Sequence, residues 1–255
     1  LASGGGAKVK AASDDDSDFI EHLFTANTHD HILFFMNNGR VYVEQVYEIE
    51  EANRASRGKS IARLLDLKDD EKLAAMVCVS NFEEGKFLMM CTANGTIKKT
   101  EISKYANYRK GGIIGINIEH GDRLISTKLT NGDNEVVMIS QSGMSIRFHE
   151  SDVRSMGRDT TGVAGMRLDT GDQVKAMEVV DPACTLLVVG IDGIGKRTPF
   201  DDPETKEPVY RKQTRGGKGV IGMTTREGET AEDNDFVEHL FTASTHDYLM
   251  FFTNT

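Results

Sequence analysis

From Asp18 onward the chain is written in short apolar runs, each broken by Gly, Asn or Asp. Ile32-Leu33-Phe34-Phe35 leads through Asn38-Gly39 into Arg40-Val41-Tyr42-Val43, and Phe87-Leu88-Met89-Met90 leads through Asn94-Gly95 into Thr96-Ile97-Lys98-Lys99. Val136-Val137-Met138-Ile139 precedes Ser142-Gly143 and then Ser145-Ile146-Arg147-Phe148. Leu186-Leu187-Val188-Val189 precedes Asp192-Gly193 and then Gly195-Lys196-Arg197. Four apolar residues, a turn whose residues tolerate positive φ, and a second strand carrying cations predict a tight β-hairpin each time. A Gly-rich signature follows each hairpin: Arg57-Gly58-Lys59-Ser60-Ile61, Lys110-Gly111-Gly112-Ile113-Ile114, Thr161-Gly162-Val163-Ala164 and Gly217-Lys218-Gly219-Val220-Ile221. Acid-bearing turns at Lys68-Asp69-Asp70, His120-Gly121-Asp122 and Thr170-Gly171-Asp172 close three of the units.

The repeat is about 50 residues long, a period that marks a propeller or array rather than a sandwich. Four units are expected at 18–70, 71–122, 123–172 and 173–229, and the fold class is all-β: a β-propeller-like array of four-stranded blades. A four-stranded sheet cannot bury both faces alone and must stack on its neighbours. Helical periodicity is confined to 48–57, which predicts a short helix. Residues 1–17 are Gly-rich, then acidic, and read as a flexible linker. A partial repeat occupies 233–255: Asp235–Thr255 matches Asp18–Asn38 at 14 of 21 positions.

Composition narrows the function. No run of about 18 apolar residues offers a membrane span, and no apolar segment with a basic front edge suggests a secretory leader. Cys78, Cys91 and Cys184 are scattered among apolar neighbours, which reads as buried thiols in a reducing compartment. The seven His are not spaced with Cys or carboxylates as metal ligands. No nucleophile motif accompanies His29-Asp30 or His246-Asp247, which read as turn residues, and no Walker-type phosphate-binding loop occurs. Neither a cofactor nor a metal is expected, and no catalytic residue stands out.

The net charge of −10 opposes nucleic-acid binding on its face. Yet the cations gather on the second hairpin strands and the loops after them, while the acids gather in the turns between units. A belt at one radius is therefore expected from Arg57, Lys59, Lys98, Lys99, Arg109, Lys110, Arg147, Arg158, Lys196, Arg197, Arg211 and Lys212. A curved basic belt can hold a phosphate backbone along a bent path without reading bases. The loop Gln213-Thr214-Arg215-Gly216-Gly217-Lys218-Gly219 adds two cations to glycines whose amides could approach phosphate oxygens.

The stretches 28–65, Thr92–Tyr105, Gly143–Leu168 and Gly193–Phe200 resemble the C-terminal domain of the gyrase A polypeptide, over roughly 18–255. That resemblance implies a β-pinwheel that wraps double-stranded DNA and is not itself an enzyme, within an ATP-dependent type IIA topoisomerase, DNA gyrase. Its implied partners are the rest of the gyrase A polypeptide and the gyrase B polypeptide, in the bacterial cytoplasm at the nucleoid, with no membrane. The family's wrapping box, Gln-Arg-Arg-Gly-Gly-Lys/Arg-Gly, is matched by Gln213, Arg215, Gly216, Gly217, Lys218 and Gly219, with Thr214 in place of an Arg. Here the box follows a late blade, although it leads on to Thr245-His246-Asp247 as the family's does. Two alternatives remain at this level: the corresponding domain of topoisomerase IV, which lacks an intact box, and a propeller serving as a protein-interaction platform.

Overall fold

The computed structural model describes residues 25–53, 56, 59–225 and 236–244. The strands are β1 (His31–Met36), β2 (Arg40–Gln45), β3 (Leu73–Val79), β4 (Phe87–Thr92), β5 (Thr96–Glu101), β6 (Ile113–Ile114), β7 (Leu124–Thr130) and β8 (Glu135–Ser140). They continue as β9 (Met144–His149), β10 (Val163–Ala164), β11 (Val174–Val179), β12 (Thr185–Gly190), β13 (Gly195–Pro199), β14 (Val220–Ile221) and β15 (Val237–Ala243). All pair antiparallel, in four sheets ordered β3-β1-β2-β6, β10-β5-β4-β7, β11-β8-β9-β14 and β13-β12-β15, called sheets I to IV below. The four expected hairpins form; three of them (β1–β2, β4–β5 and β8–β9) are sheet centres, and in sheet IV β13 is an edge. The short helix expected at 48–57 is not formed among the described residues; a single 3-10 turn covers Val46–Glu48 instead.

The sheets do not coincide with the sequence units. The outer strand of sheet I, β6, comes from residues 113–114, beyond the next hairpin in the chain; β10 and β14 reach back to sheets II and III in the same way. In its last three occurrences the Gly-rich signature is therefore a strand-exchange segment, whereas the first leads into a 3-10 turn at Ile61–Arg63. One bonding pattern repeats three times. Gly39 O accepts from the amides of Gly115 and Ile116, Gly95 O from those of Gly165 and Met166, and Gly143 O from those of Gly222 and Met223. The turn glycines do more than turn: Gly143 has φ +86°, and a Cβ there would run into the carbonyl oxygen of Met223.

The acid-bearing turns close the same geometry. Asp122 Oδ1 accepts from the amide of Asn94, and Asp172 accepts from both the amide and the hydroxyl of Ser142. In sheet I the role falls to Glu71, which accepts from Asn38 Nδ2 and from the Tyr42 hydroxyl at 2.6 Å. Each carboxylate thus pins the tip of its own hairpin to the base of its own inner strand.

Sheets stack in chain order along the strands β3, β7, β11 and β15, which contact one another in succession and form the inner edge. Ion pairs between Lys128 and Glu178 (2.7 Å) and between Lys175 and Glu238 (2.6 Å) bridge these inner strands. Apolar cores fill the spaces between sheets: Leu33, Phe35, Leu88 and Met90 between I and II, Met89, Ile97, Val136 and Phe148 between II and III, and Val137, Ile139, Leu186 and Val188 between III and IV. Both faces of a central hairpin are buried, so its apolar runs are continuous rather than alternating. The other face of sheet I is covered by Ile61, Leu64, Leu65 and Leu67 from its own chain. Sheet IV has three strands among the described residues, with β13 at its edge and Ile194 exposed.

Val237–Ala243 falls in the partial repeat at 233–255 and completes sheet IV as its inner strand, paired with β12 from Thr185↔Ala243 to Gly190↔Val237. The acid–base pair His29-Asp30 is a turn: Asp30 Oδ2 accepts from the amide of Asn27 at 2.8 Å. His246, Asp247, Arg57 and the linker at 1–17 lie outside the described residues.

The two kinds of turn glycine separate in a stability measurement. Gly143→Ala must strain a left-handed residue and push away the exchange segment, an expected loss of at least about 3 kcal/mol in urea unfolding. Gly193 has φ +76° with nothing near its missing Cβ, so Gly193→Ala should lose only about 1 kcal/mol.

Candidate nucleic-acid interface

Three loops carry the exchange strands to the outer edge: 102–112, 150–162 and 200–219. They lie at the opposite side of each sheet from the inner strands, so they form the rim. The loops also bind each other. Asn117 donates its amide to Thr160 O, and Arg167 donates to Gly217 O in the equivalent place one blade on. Arg158 Nη1 donates to Ile114 O at 3.0 Å, and Arg215 Nη1 donates to Ala164 O at 2.9 Å. Arg158 and Arg215 are thus the same clasp on successive blades, each holding the outer strand of the blade before it.

The hairpin-strand cations are not where a surface belt needs them. Lys98 is fully buried, and its Nζ donates to Gly115 O and Arg158 O, both at 2.6 Å. Lys99 is buried against Glu150 at 2.7 Å, with its ammonium 4.3 Å from the centre of the Phe87 ring. Arg147 is buried between Glu135 (2.6 Å) and Asp201 (3.2 Å), donating also to Phe200 O and Tyr210 O. Lys98, Lys99 and Arg147 are buried, a correction to the expected surface belt, because the exchange loop of the following blade lies over these strands and supplies partners, joined by Gly115 O for Lys98 and by Glu135 of the same hairpin for Arg147. Met156 donates its amide to Lys99 O, and Gln213 donates to Arg147 O, in matching positions.

Lys196 and Arg197 occupy the same two hairpin positions in sheet IV and are exposed, because no exchange loop covers β13 among the described residues. Lys59 is exposed and paired with Glu50. Arg109, Lys110 and Arg211 are exposed on the rim loops, and Arg158 is half-buried there. Lys104 and Arg154 join them on the same loops. Lys110 stands beside Glu44, whose carboxyl is lifted to about 7 by burial and a shared hydrogen bond with Glu48. Lys212 is exposed and paired with Glu135. Burial alone would raise the Glu135 carboxyl, yet hydrogen bonds from Lys212 and Arg147 outweigh it and hold the group below its usual range.

The box-like loop is built into the rim. Gly216 donates its amide to Gly165 O at 2.6 Å, and Gly217 O accepts from Arg167. Arg215 spends its guanidinium on Asp152 O and Ala164 O. Gly219 has φ +85° and packs its bare Cα on Ser145 O. Gln213 is half-buried, and Lys218 points outward to an exposed ion pair with Asp169 at 2.5 Å. Two glycines of this loop thus have backbone groups committed to the neighbouring loop, leaving Lys218 as its outward charge.

This is a stacked array of strand-exchanging blades with a basic rim. The family described as the DNA gyrase C-terminal domain, beta-propeller, matches residues 30–80, 86–131, 134–181 and 205–244, and the chain belongs to it. It is 43% identical over 223 residues to the gyrase A polypeptide of Escherichia coli, covering 88% of this chain and 25% of that protein. The gyrase A polypeptide of Clostridium acetobutylicum is 42% identical over 217 residues, with 85% of this chain and 25% of that one covered. The chain therefore spans about a quarter of these relatives. Among solved structures, a DNA gyrase A C-terminal domain superposes with a TM-score of 0.71 at 26% identity, covering 92% of this chain and 73% of that one. The C-terminal domain of a DNA topoisomerase IV gives 0.72 at 26% identity, covering 85% and 64%.

Burial pulls the Lys98 ammonium down to about 7 from 10.5, with Asp159 opposing and Arg158 adding to the shift. A neutral amine has two N–H groups, and two carbonyls receive them. The unfolded chain keeps this proton up to the ordinary lysine range, so stability should rise with pH from about 7 upward, by at most about 1.4 kcal/mol per unit. Urea unfolding between pH 7 and 9 should show that rise in the parent chain, and Lys98→Met should flatten it.

Proposed function

We propose that this chain is the DNA-holding domain of a gyrase A polypeptide: a non-catalytic module that binds double-stranded DNA along its rim and bends it. The observation that carries this is the recurrence of exposed cations on three stacked loops at one edge of the array. Lys104, Arg109 and Lys110 come from the first loop, Arg154 from the second with the half-buried Arg158 beside it, and Arg211, Lys212 and Lys218 from the third. Successive loops are bonded to one another, so the charges hold fixed spacing and present a curved track. Contacts of this kind read phosphate, not sequence. Bending 20–30 base pairs costs on the order of 1–6 kcal/mol, which several phosphate contacts can offset.

In the whole enzyme such a track would present a bent duplex for ATP-dependent strand passage and negative supercoiling. The remainder of the gyrase A polypeptide and the gyrase B polypeptide are the partners, in the bacterial cytoplasm at the nucleoid. No helix among the described residues is long and apolar enough to cross a membrane, and the proposed role needs neither a cofactor nor a metal. The assignment to gyrase rather than topoisomerase IV is supported by the identity of 43% to a gyrase A polypeptide over most of the chain. Against the protein-platform alternative stands the rim itself, where local positive charge opposes the net charge of −10.

Duplex binding by the chain should weaken steeply between 50 and 200 mM salt, and ligated circles formed on it should show a shifted linking number. Arg211→Ala with Lys218→Ala should lower the slope of log K against log salt by about two, one per phosphate lost. Lys99→Ala should leave that slope alone and instead cost about 3–5 kcal/mol of stability, since Glu150 is left charged and buried. Salt-independent binding, or none at low salt, would contradict the proposal.

A further inference from the structure

The turn that follows β2 departs from those that follow β5 and β9. A 3-10 turn leaves each of these strands, at Val46–Glu48, Ile102–Tyr105 and Glu150–Asp152. The second buries Ile102 and Tyr105 and the third buries Glu150, but the first buries none of its residues. It carries a knob instead: Tyr47 is 59% exposed and Ile49 is 37% exposed, among the exposed acids Glu48, Glu50 and Glu51. Backbone bonds fix the knob in place, since Val46 and Tyr47 donate their amides to Asp30 O and Thr28 O, and Ile49 donates to Val46 O. Glu50 is paired with Lys59, while Glu44, Glu48 and Glu51 keep the knob acidic. Phosphate would be repelled here, so the knob calls for a partner other than DNA.

The complement of the knob stands beside it. An open cleft between the loops 102–112 and 150–162 is lined by Lys104, Arg109, Arg158, Asp159 and Ile114 among others. Three cations face one carboxylate there, and Ile114 is 47% exposed among them. Arg109 lines this cleft and also the small cavity that it shares with Glu44 and Glu48 at the root of the knob. The knob is apolar surface ringed by acids, and the cleft is apolar surface ringed by cations. The backbone bonds of the knob, and the clasp from Arg158 to Ile114 O, hold the two side by side and apart. Two complementary patches side by side are together self-complementary about a two-fold axis, because each then meets the other on the partner.

We propose that a second copy of this chain docks on this surface, with Tyr47 and Ile49 of each copy in the other's cleft against Ile114, and Glu48 and Glu51 against Lys104 and Arg109. The net charge of −10 on each copy opposes approach. Physiological salt screens that repulsion beyond about 8 Å, so the opposite charges in contact decide the outcome. Docking covers Lys104 and Arg109, so a docked pair does not hold duplex there. That exclusion rests on the DNA-holding reading; the docking itself does not.

Sedimentation equilibrium of the full chain over a range of concentrations, at low and high salt, tests the proposal, with unfolding curves taken alongside to show that each variant is folded. A dimer that weakens with salt is expected. Glu51→Lys and Lys104→Glu should each raise its dissociation constant by about tenfold or more, since each reversed charge is met twice across the two-fold axis. An equimolar mixture of these two variants should associate as the parent does, because both contacts in the mixed pair again join opposite charges. Tyr47→Ser should weaken the dimer yet leave the salt slope of duplex binding unchanged, and a short duplex should dissociate the parent dimer. A chain that stays monomeric at every concentration, a dimer that no variant weakens, or a mixture that fails to associate would overturn the proposal, as would duplex bound by the intact dimer. If the chain dimerises as described but binds no duplex, the rim reading fails and the docking stands.

Discussion

A single carbonyl oxygen at the tip of each of the first three hairpins organises this molecule. The carbonyls of Gly39, Gly95 and Gly143 each receive two amides from a segment that lies beyond the next hairpin in sequence. To reach them, the chain must leave one blade, cross the rim and return to the blade before. That crossing makes the rim loops, brings successive loops into contact and sets their spacing. The glycine at the tip is required because the exchange segment passes where a side chain would be, and the acid at the base of the inner strand holds the tip still. Without the exchange each sheet would keep three strands and an open edge, the condition seen at β13 among the described residues.

The same crossing sorts the charges. Where a rim loop lies over a hairpin strand, the strand's cations lose water and acquire internal partners, as Lys98, Lys99 and Arg147 do. Where no loop among the described residues lies over it, as at Lys196 and Arg197, they stay in solvent. The outward charge is carried by the loops themselves. A net charge of −10 and the proposed phosphate-binding rim are compatible on these terms, because many acids stand at hairpin bases and on inner strands, and of the acids on the rim loops Glu150 and Asp201 are paired with Lys99 and Arg147. Glu71, Asp122, Asp172, Glu178 and Glu238 all have structural partners there.

The hairpins, their four-fold repetition and the all-β class can be read from the apolar runs and turn dipeptides, because those are local signals. The Gly-rich signature is visible too, but its partner is not: Val220 pairs with Ser145 across a long stretch of chain, and no local pattern encodes that distance. Burial of Lys98 and Lys99 is equally hidden, since adjacent lysines on a strand look like a solvated edge until the covering loop is known. One clue exists. In Thr96-Ile97-Lys98-Lys99-Thr100 the flanking residues are all β-formers without an acid to solvate the pair, as befits a strand covered on both faces. Arg215 shows the limit of motif matching. Its box position suggests phosphate contact, whereas the guanidinium is committed to two carbonyls of the neighbouring loop.

Where a rim loop covers a hairpin strand, the loop and not the strand presents the cations. Acetylation of lysines by a small reagent, read residue by residue with and without a short duplex, tests it most directly. The account predicts that Lys104, Lys110 and Lys218 react freely and are shielded when duplex is added, while Lys98 and Lys99 stay unreactive throughout. Rapid modification of Lys98 and Lys99 in the folded chain, lost on adding DNA, would contradict it and return the belt to the hairpin strands.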